Sequence, residues 1–167
     1  KFVPDGLFSS TGYYQIICAC SDMAVTVNNG CVVDGSNVVQ RKANPNDDSQ
    51  LFAIKLNSDG TYTFVNKASG LALDVANNDV TNGTNLQGYT PNNQMKQRFN
   101  ISEVKDYLPE GYVTIKSKLK PSMVVDVLNG SLNDGANVQL YSDNGTQAQK
   151  WYVSLTEKDS NTYTIQS

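Results

Sequence analysis

The sequence predicts an all-β domain made of three repeats with four strands each. A glutamine, one arbitrary residue and a large aromatic recur in the segments SQLFAI, KQRFNI and AQKWYV, which place Phe52, Phe99 and Trp151 about fifty residues apart. Clusters of Asn, Asp and Gly separate short apolar stretches, and no stretch has the periodicity of about 3.6 residues that marks an amphipathic helix. A recurrence of this length is typical of repeated structural units.

The first strand of each repeat is predicted in TGYYQIICAC, GTYTFVNKAS and GYVTIKSKLK. In each segment a glycine precedes alternating apolar and polar residues, which is the pattern of a half-buried strand. The inward positions of these strands include Ile16, Phe64 and Ile115.

The second and third strands follow at matched spacings. The second lies in MAVTVNNG, LALDVANN and MVVDVLNG, with inward residues Val25, Leu73 and Val125. The third follows a glycine turn, in GSNVVQR, GTNLQGY and GANVQLY, and each of these segments has an asparagine two residues after the glycine. The segment with the repeated aromatic supplies the fourth strand.

Four strands cannot bury their own apolar face, but three such repeats around a pseudo-threefold axis can close a barrel and cap one end of it. The 167 residues are therefore expected to form one domain, with the repeated aromatics at a shared centre. The expected boundaries are 12–59, 60–110 and 111–156, followed by an extra terminal strand at 157–167, where SNTYTIQS resembles the opening strand GTYTFVNK.

Composition excludes several functions. The net charge of -3 and the scattered basic residues give no footprint for nucleic acid, and no apolar run is long enough for membrane insertion. The chain has no histidine, which removes Ser-His-Asp and Cys-His nucleophile systems and the commonest neutral metal ligand. We therefore expect no metal site, no cofactor and no catalytic residues.

The three cysteines form no CxxC pair and predict no zinc site. Cys18 and Cys20 are expected to share one face of a strand, which makes a disulfide between them awkward. A bridge between Cys20 and Cys31 and three buried free thiols both remain compatible with the sequence.

The three segments with a glutamine and an aromatic, the three Gly-x-Asn turns and the two LDV-type strands together resemble the β-trefoil of the ricin B-chain lectins and the family 13 carbohydrate-binding modules. The resemblance covers residues 12–156. It implies a β-trefoil that binds glycans of the galactose, N-acetylgalactosamine or xylan type. It also implies an extracellular, bacterial setting in which the module is linked to catalytic or toxin domains.

The candidate sugar-binding residues occur at matched positions in repeats two and three. A pyranose ring offers an apolar face to an aromatic ring and adjacent hydroxyls to a carboxylate. Each aspartate is followed fifteen residues later by a tyrosine, then by an asparagine three residues on, and in the ricin-like family these three positions form the sugar pocket. The predicted set, with a glutamine two residues before each tyrosine, is Asp74, Gln87, Tyr89 and Asn92 in repeat two, and Asp126, Gln139, Tyr141 and Asn144 in repeat three. Gln97 and Gln149 resemble family residues that steady the pocket by hydrogen bonding.

Structural explanations remain open for the same residues. The aspartates can satisfy backbone donors, the tyrosines can cover the barrel, and the asparagines can shape turns. Repeat one is expected to be inactive, because it has Thr26, Val39 and Arg41 at the aspartate, glutamine and tyrosine positions and retains only Asn44.

Three other functional classes compete with sugar binding. Glycoside hydrolysis needs two carboxylates facing one substrate, whereas Asp74 and Asp126 are expected on different lobes of the fold. A protein-binding trefoil such as a protease inhibitor would use a loop such as ANPNDDSQ, and a structural module would bind nothing; neither needs matched aspartates and tyrosines.

Overall fold

The computed structural model describes residues 8–104 and 111–158, except for the side chains of residues 157 and 158. The described residues form twelve strands, four in each repeat, joined by turns and by six single-turn 3-10 helices. In repeat one the strands are β1 (Gly12–Cys18), β2 (Met23–Val27), β3 (Ser36–Lys42) and β4 (Phe52–Leu56). In repeat two they are β5 (Tyr62–Asn66), β6 (Ala72–Val75), β7 (Thr84–Tyr89) and β8 (Phe99–Glu103). In repeat three they are β9 (Tyr112–Ser117), β10 (Met123–Val127), β11 (Val138–Ser142) and β12 (Trp151–Lys158).

The first and last strands of the repeats form a closed antiparallel barrel of six strands. Going round the barrel, β1 pairs with β4, β4 with β5, β5 with β8, β8 with β9, β9 with β12, and β12 again with β1. The pairing of β1 with β12 runs from Gly12 opposite Lys158 to Cys18 opposite Trp151. Because the ring closes, the barrel has no free sheet edge.

The second and third strands form three hairpins, β2–β3, β6–β7 and β10–β11. The strand β7 pairs with both β3 and β11, and a bridge between Val39 and Asn137 joins the remaining two hairpins. The three hairpins thus form a triangular cap, and the whole arrangement is a β-trefoil, as the sequence predicted.

The repeated aromatics occupy the centre of this fold. Phe52, Phe99 and Trp151 are fully buried, and the side chains predicted to point inward surround them: Ile16, Val25, Phe64, Leu73, Ile115 and Val125. Within this core the indole nitrogen of Trp151 donates a hydrogen bond of 3.1 Å to the backbone oxygen of Val125. The repeated aromatic therefore serves the packing of the fold.

The asparagines of the three Gly-x-Asn turns form a closed ring. The amide nitrogen of Asn37 donates to the side-chain oxygen of Asn137 at 3.0 Å, Asn137 donates to Asn85 at 2.9 Å, and Asn85 donates to Asn37 at 2.9 Å. Each side chain comes from a different repeat and uses one donor and one acceptor. This ring explains why the sequence has asparagine at all three positions.

The residue before the glycine of each Gly-x-Asn turn accepts a hydrogen bond from the backbone of another repeat. Asp34 accepts from the backbone nitrogen of Thr90 at 2.5 Å, Asn82 from Ser142 at 2.8 Å, and Asp134 from Lys42 at 2.8 Å. Thr90 and Ser142 directly follow the two candidate tyrosines. Each turn therefore fixes the end of the third strand of another repeat, and in repeats two and three that strand carries a candidate tyrosine.

The cysteines correct one expectation from the sequence. Cys18 ends β1, but Cys20 lies in the turn that follows, so the two residues do not share a strand face and their sulfurs are 3.0 Å apart. All three cysteines are free thiols. Burial, followed by hydrogen bonding with Cys20, raises the pKa of the Cys18 thiol to about 12.

Two further predictions concern residues outside the described ranges. The terminal strand expected at 157–167 falls outside the described residues, except that the backbone of residues 157 and 158 continues β12. The expected boundary at residue 110 also lies outside them. Within the described ranges, no helix has the length and apolar character needed to cross a bilayer.

Candidate functional site

Each candidate aspartate lies on the second strand of its repeat and faces a glutamine on the third strand across the hairpin. Asp74 on β6 is opposite Gln87 on β7, and Asp126 on β10 is opposite Gln139 on β11. In both pairs the glutamine amide donates to Oδ1 of the aspartate at 2.9 Å. The structure therefore brings these predicted residues together identically in repeats two and three.

The glutamine of each aromatic signal connects the aspartate to the loop after the third strand. The amide of Gln97 donates to Oδ2 of Asp74 and to the backbone oxygen of Thr90, both at 3.0 Å, and its oxygen accepts from the backbone nitrogen of Asn92 at 2.9 Å. This glutamine is fully buried. It therefore fixes both the carboxylate and the loop at which the candidate asparagine stands.

Gln149 has the same role in repeat three. Its amide donates to the backbone oxygen of Ser142 at 2.9 Å, and its oxygen accepts from the backbone nitrogen of Asn144 at 2.8 Å. The same amide lowers the pKa of the Asp126 carboxyl. It too is fully buried.

The candidate asparagines shape the loops beside the aspartates. The side-chain oxygen of Asn92 accepts from the backbone nitrogen of Gln94, and that of Asn144 from Thr146, both at 3.1 Å. Asn44 of repeat one makes the equivalent bond to Asn46 at 3.1 Å. This Asx-type turn explains the asparagine in all three repeats, and it leaves the amide nitrogen of Asn144 as the part of the side chain that can meet a ligand.

Repeat three holds an open pocket of about 660 Å³. Asp126 and Gln139 lie in its wall with the half-buried Tyr141 and with Asn144, so all four predicted residues of this repeat line one cavity. The rest of the wall is formed by Cys20, Asn129, Gly130, Gly145, Thr146, Gln147, Ala148 and Lys150. A carboxylate, an aromatic ring and amide groups in one concave site can accept hydroxyls and cover a C–H face.

In repeat two a lysine occupies the space beside the aspartate. The Nζ atom of Lys96 lies 3.4 Å from Oδ2 of Asp74 and 4.5 Å from the centre of the Tyr89 ring. The side chain of Asp74 is completely buried, and that of Lys96 is 13% exposed. The carboxylate and the ring predicted to bind a sugar thus both contact one internal ammonium group.

Repeat three has Ala148 at the position of Lys96, immediately before the buried glutamine. Both residues lie in single-turn 3-10 helices, Met95–Gln97 and Gln147–Gln149, which enter the final strand with the same backbone conformation. The difference between the two sites therefore arises from the side chain at this position and not from a different backbone path.

Repeat one differs from both, in the way its sequence suggested. The hydroxyl of Thr26 donates to the backbone oxygen of Ala24 at 2.9 Å. The guanidinium of Arg41 binds Asp134 at 2.9 Å and the side-chain oxygen of Asn28 at 2.8 Å. The hydrogen-bonding groups of Thr26 and Arg41 thus have partners within the protein. Neither residue offers a carboxylate acceptor or an aromatic face at the equivalent place.

The surroundings of Asp126 favour its neutral form. Burial raises the pKa of this carboxyl above its ordinary value of 3.8, and the hydrogen bonds from Gln139 and Gln149 oppose part of that rise. A pocket that withdraws a carboxylate from water strengthens each hydrogen bond that the carboxylate accepts.

Four features of the sites were not predicted from the sequence. These are the contact of Lys96 with Asp74 and Tyr89, the presence of Cys20 and the Asn129–Gly130 turn in the pocket wall, and the small Ala148 that leaves the pocket open. The aligned segments do show Ser49, Lys96 and Ala148 at one position. The direction of the lysine side chain is a tertiary property that the alignment does not contain.

The chain is similar in sequence and in structure to known proteins. A family model described as "Ricin-type beta-trefoil lectin domain-like" matches residues 5–89 and 95–167. Among curated proteins, Flavastacin from Elizabethkingia meningoseptica is 34% identical over 99 residues, which amount to 58% of this chain and 21% of that protein. The matched part of the chain thus spans about a fifth of the length of this relative.

Two solved structures are similar in both fold and sequence. The designed 3-fold symmetric protein ThreeFoil has a TM-score of 0.80 and 32% identity, and the match covers 86% of this chain and 98% of that chain. An exo-β-1,3-galactanase from Clostridium thermocellum has a TM-score of 0.80 and 29% identity, and the match covers 93% of this chain and 31% of that chain.

Proposed function

The chain belongs to the ricin-type β-trefoil lectin-like family, and on that basis we propose that it is a carbohydrate-binding module whose binding site is the pocket of repeat three. The observation that carries this proposal is the open cavity whose wall combines Asp126, Gln139, Tyr141 and Asn144. The family match supports carbohydrate binding in general. The assignment to this pocket rests on its chemistry.

Asp126 is the anchor of the proposed site. Gln139 holds the carboxylate by a hydrogen bond to Oδ1, and the nearby amide of Gln149 favours its charged form. An ionised carboxylate has more acceptor positions than these two amides use. Two neighbouring hydroxyls of a sugar can donate to the remaining positions, and charge-assisted bonds of this kind are stronger than neutral ones. Tyr141 then covers the C–H face of the ring.

A sugar of the galactose type is the proposed ligand. A similar segment forms part of a protein named as an exo-β-1,3-galactanase, at 29% identity. N-acetylgalactosamine keeps the adjacent 3- and 4-hydroxyls of galactose, whereas xylan-type sugars offer adjacent hydroxyls of a different configuration. Both are alternatives that the binding experiment must separate.

The module is proposed to be non-catalytic and to work as part of a longer secreted bacterial protein. Flavastacin and the galactanase both contain the similar segment within a much longer chain. In such an arrangement the module would hold an attached catalytic or toxin domain close to a glycan. We expect an affinity in the millimolar to micromolar range for one shallow pocket, or roughly 4 to 8 kcal/mol.

A glycan array is the direct test, with the wild-type chain compared with an Asp126→Ala variant. We expect binding to terminal galactose-type glycans and its loss in the variant, because the main acceptor is removed. A matched control is Asp59→Ala, which removes an exposed aspartate at the end of repeat one, outside the pocket. Binding that persists in Asp126→Ala would contradict the site, and an array with no bound glycan would contradict the function.

A further inference from the structure

We propose that Lys96 is a built-in plug of the repeat-two site, so that the chain binds one sugar where its sequence has the residues for two. This proposal rests on the proposed function, because it concerns the number of sites available to the same class of ligand. It is carried by the contacts of Lys96 and by the comparison with Ala148 of repeat three.

The Lys96 ammonium group occupies both surfaces that a sugar would need. Its nitrogen is 3.4 Å from Oδ2 of Asp74 and 4.5 Å from the centroid of the Tyr89 ring. The other carboxylate oxygen, Oδ1, accepts from Gln87 at 2.9 Å, and Gln97 also donates to Oδ2 at 3.0 Å. Sugar hydroxyls and the ammonium would compete for the same acceptor, and a C–H face would compete for the same side of the ring.

A neutral sugar is a weak competitor for this lysine. The Asp74 side chain is completely buried and that of Lys96 is 13% exposed, so displacement would leave a buried carboxylate without its cation. Breaking a buried ion pair by removing one partner is strongly unfavourable. Lys96 is also covalently attached, so its ammonium competes at the high effective concentration of an intramolecular group.

The backbone around the plug is that of an open site. The side-chain oxygen of Gln97 accepts from the backbone N–H of Asn92 at 2.9 Å, and that of Gln149 accepts from Asn144 at 2.8 Å. The amide of each glutamine also donates to the backbone oxygen two residues before that asparagine, which belongs to Thr90 or Ser142. Because these supports match, exchanging only the side chains at 96 and 148 should exchange the states of the two sites.

The experiment is a titration of the ¹⁵N-labelled full chain with methyl β-galactopyranoside and, separately, with xylobiose. The backbone amides of Asn144 and Asn92 report on repeats three and two. In the wild type we expect shifts at Asn144 alone. In Lys96→Ala we expect a second set of shifts at Asn92 and a stoichiometry of two, and adding Asp74→Ala should abolish that second set.

The reverse substitution tests the same idea without relying on the folding of Lys96→Ala. Ala148→Lys should place an ammonium beside Asp126 and Tyr141 and remove the Asn144 shifts. Lys55→Ala and Leu132→Lys make the same changes of charge at exposed positions outside the pocket wall and should leave the wild-type pattern intact.

The outcomes separate the two proposals. A wild-type chain that responds at neither amide to either sugar contradicts the proposed function. A wild-type response at Asn144 together with an unchanged Asn92 in folded Lys96→Ala overturns only the plug. Retention of the Asn144 response in Ala148→Lys also overturns the plug.

Discussion

Asn37 donates a hydrogen bond of 3.0 Å to the side chain of Asn137, although 100 residues separate them in the chain. With Asn85 they close a ring that links one turn from each repeat. No two of these turns are neighbours in sequence, so the ring stabilises the joint arrangement of the repeats and not the conformation of any single one.

Replacement of one member of this ring should destabilise the fold. Asn85→Ala removes two hydrogen bonds and leaves one donor and one acceptor without partners, so we expect a loss of about 1 to 2 kcal/mol in the free energy of unfolding. Urea denaturation followed by circular dichroism measures this loss. Asn46→Ala, which changes an exposed loop asparagine, is the control, and equal stability of both variants would contradict the role of the ring.

Gln149→Ala should weaken both stability and binding. The substitution removes the bonds to Ser142 and Asn144 and the amide that favours the charged form of Asp126, so the loop and the carboxylate lose a shared support, at about 1 to 3 kcal/mol of stability. Calorimetric titration with methyl β-galactopyranoside should show a lower affinity.

The matched control for this change is Gln50→Ala in repeat one. Gln50 binds the backbone of Lys42 and Asn44 in the same way, at 3.0 Å and 2.8 Å, but serves a repeat without a candidate site. It should lower stability similarly and leave the affinity unchanged. A comparable loss of affinity in both variants would show that Gln149 acts only through global stability.

Asp126 should make both stability and binding depend on pH. Since burial raises the pKa of its carboxyl in the folded chain above 3.8, the folded state holds this proton more tightly than the unfolded state. This contribution to stability is present at low pH and is lost as the pH rises through the interval between 3.8 and the raised pKa. Other aspartates, such as Asp59 with a pKa lowered to about 2 by hydrogen bonds from Thr61, oppose this trend in the total.

The difference between the wild type and Asp126→Asn isolates that contribution. We expect the variant to gain stability relative to the wild type as the pH rises through this interval. Sugar affinity of the wild type should fall as the pH is lowered through the raised pKa, because protonation removes acceptor capacity. Both quantities can be measured from denaturation and binding curves recorded between about pH 3 and 8, a range that covers the usual pKa values of carboxyl groups. A flat difference curve would contradict the raised pKa.

Cys20 should react with iodoacetamide, and bound sugar should protect it. Cys20 lies in the pocket wall, whereas Cys18 is buried and its pKa of about 12 keeps it protonated and unreactive. In a Cys31→Ser background, mass spectrometry should find the label on Cys20, at a rate reduced by methyl β-galactopyranoside. Labelling of Cys18 first, or a rate independent of the sugar, would contradict this arrangement.

The sequence was sufficient to predict the barrel because its signals are periodic and local. Phe52, Phe99 and Trp151 mark equivalent core positions, and alternation along each strand assigns an inward and an outward face. The closure of β12 on β1 follows once three equal units surround one axis. The pairing of Asp126 with Gln139 is likewise a consequence of hairpin register.

The state of each site depends on contacts that no periodic signal encodes. Lys96 stands at a position that tolerates Ser49 in repeat one and Ala148 in repeat three, so the alignment alone gives it no distinct meaning. Its contact with Asp74 and Tyr89 depends on how a flexible side chain crosses between two strands. Similarly, the place of Cys20 depended on a turn at Ala19 that the strand pattern did not indicate.

The antiparallel pairing of β1 with β12 also determines where a second domain could be attached to the barrel. Gly12 lies opposite Lys158, so the polypeptide enters and leaves the barrel at one point. Cys20 and Lys150, both in the pocket wall, follow and precede the opposite ends of the same two strands, about 20 Å away by strand rise. A domain fused through these ends of β1 and β12 would therefore join the barrel at the end of the strand pair that lies away from Cys20 and Lys150.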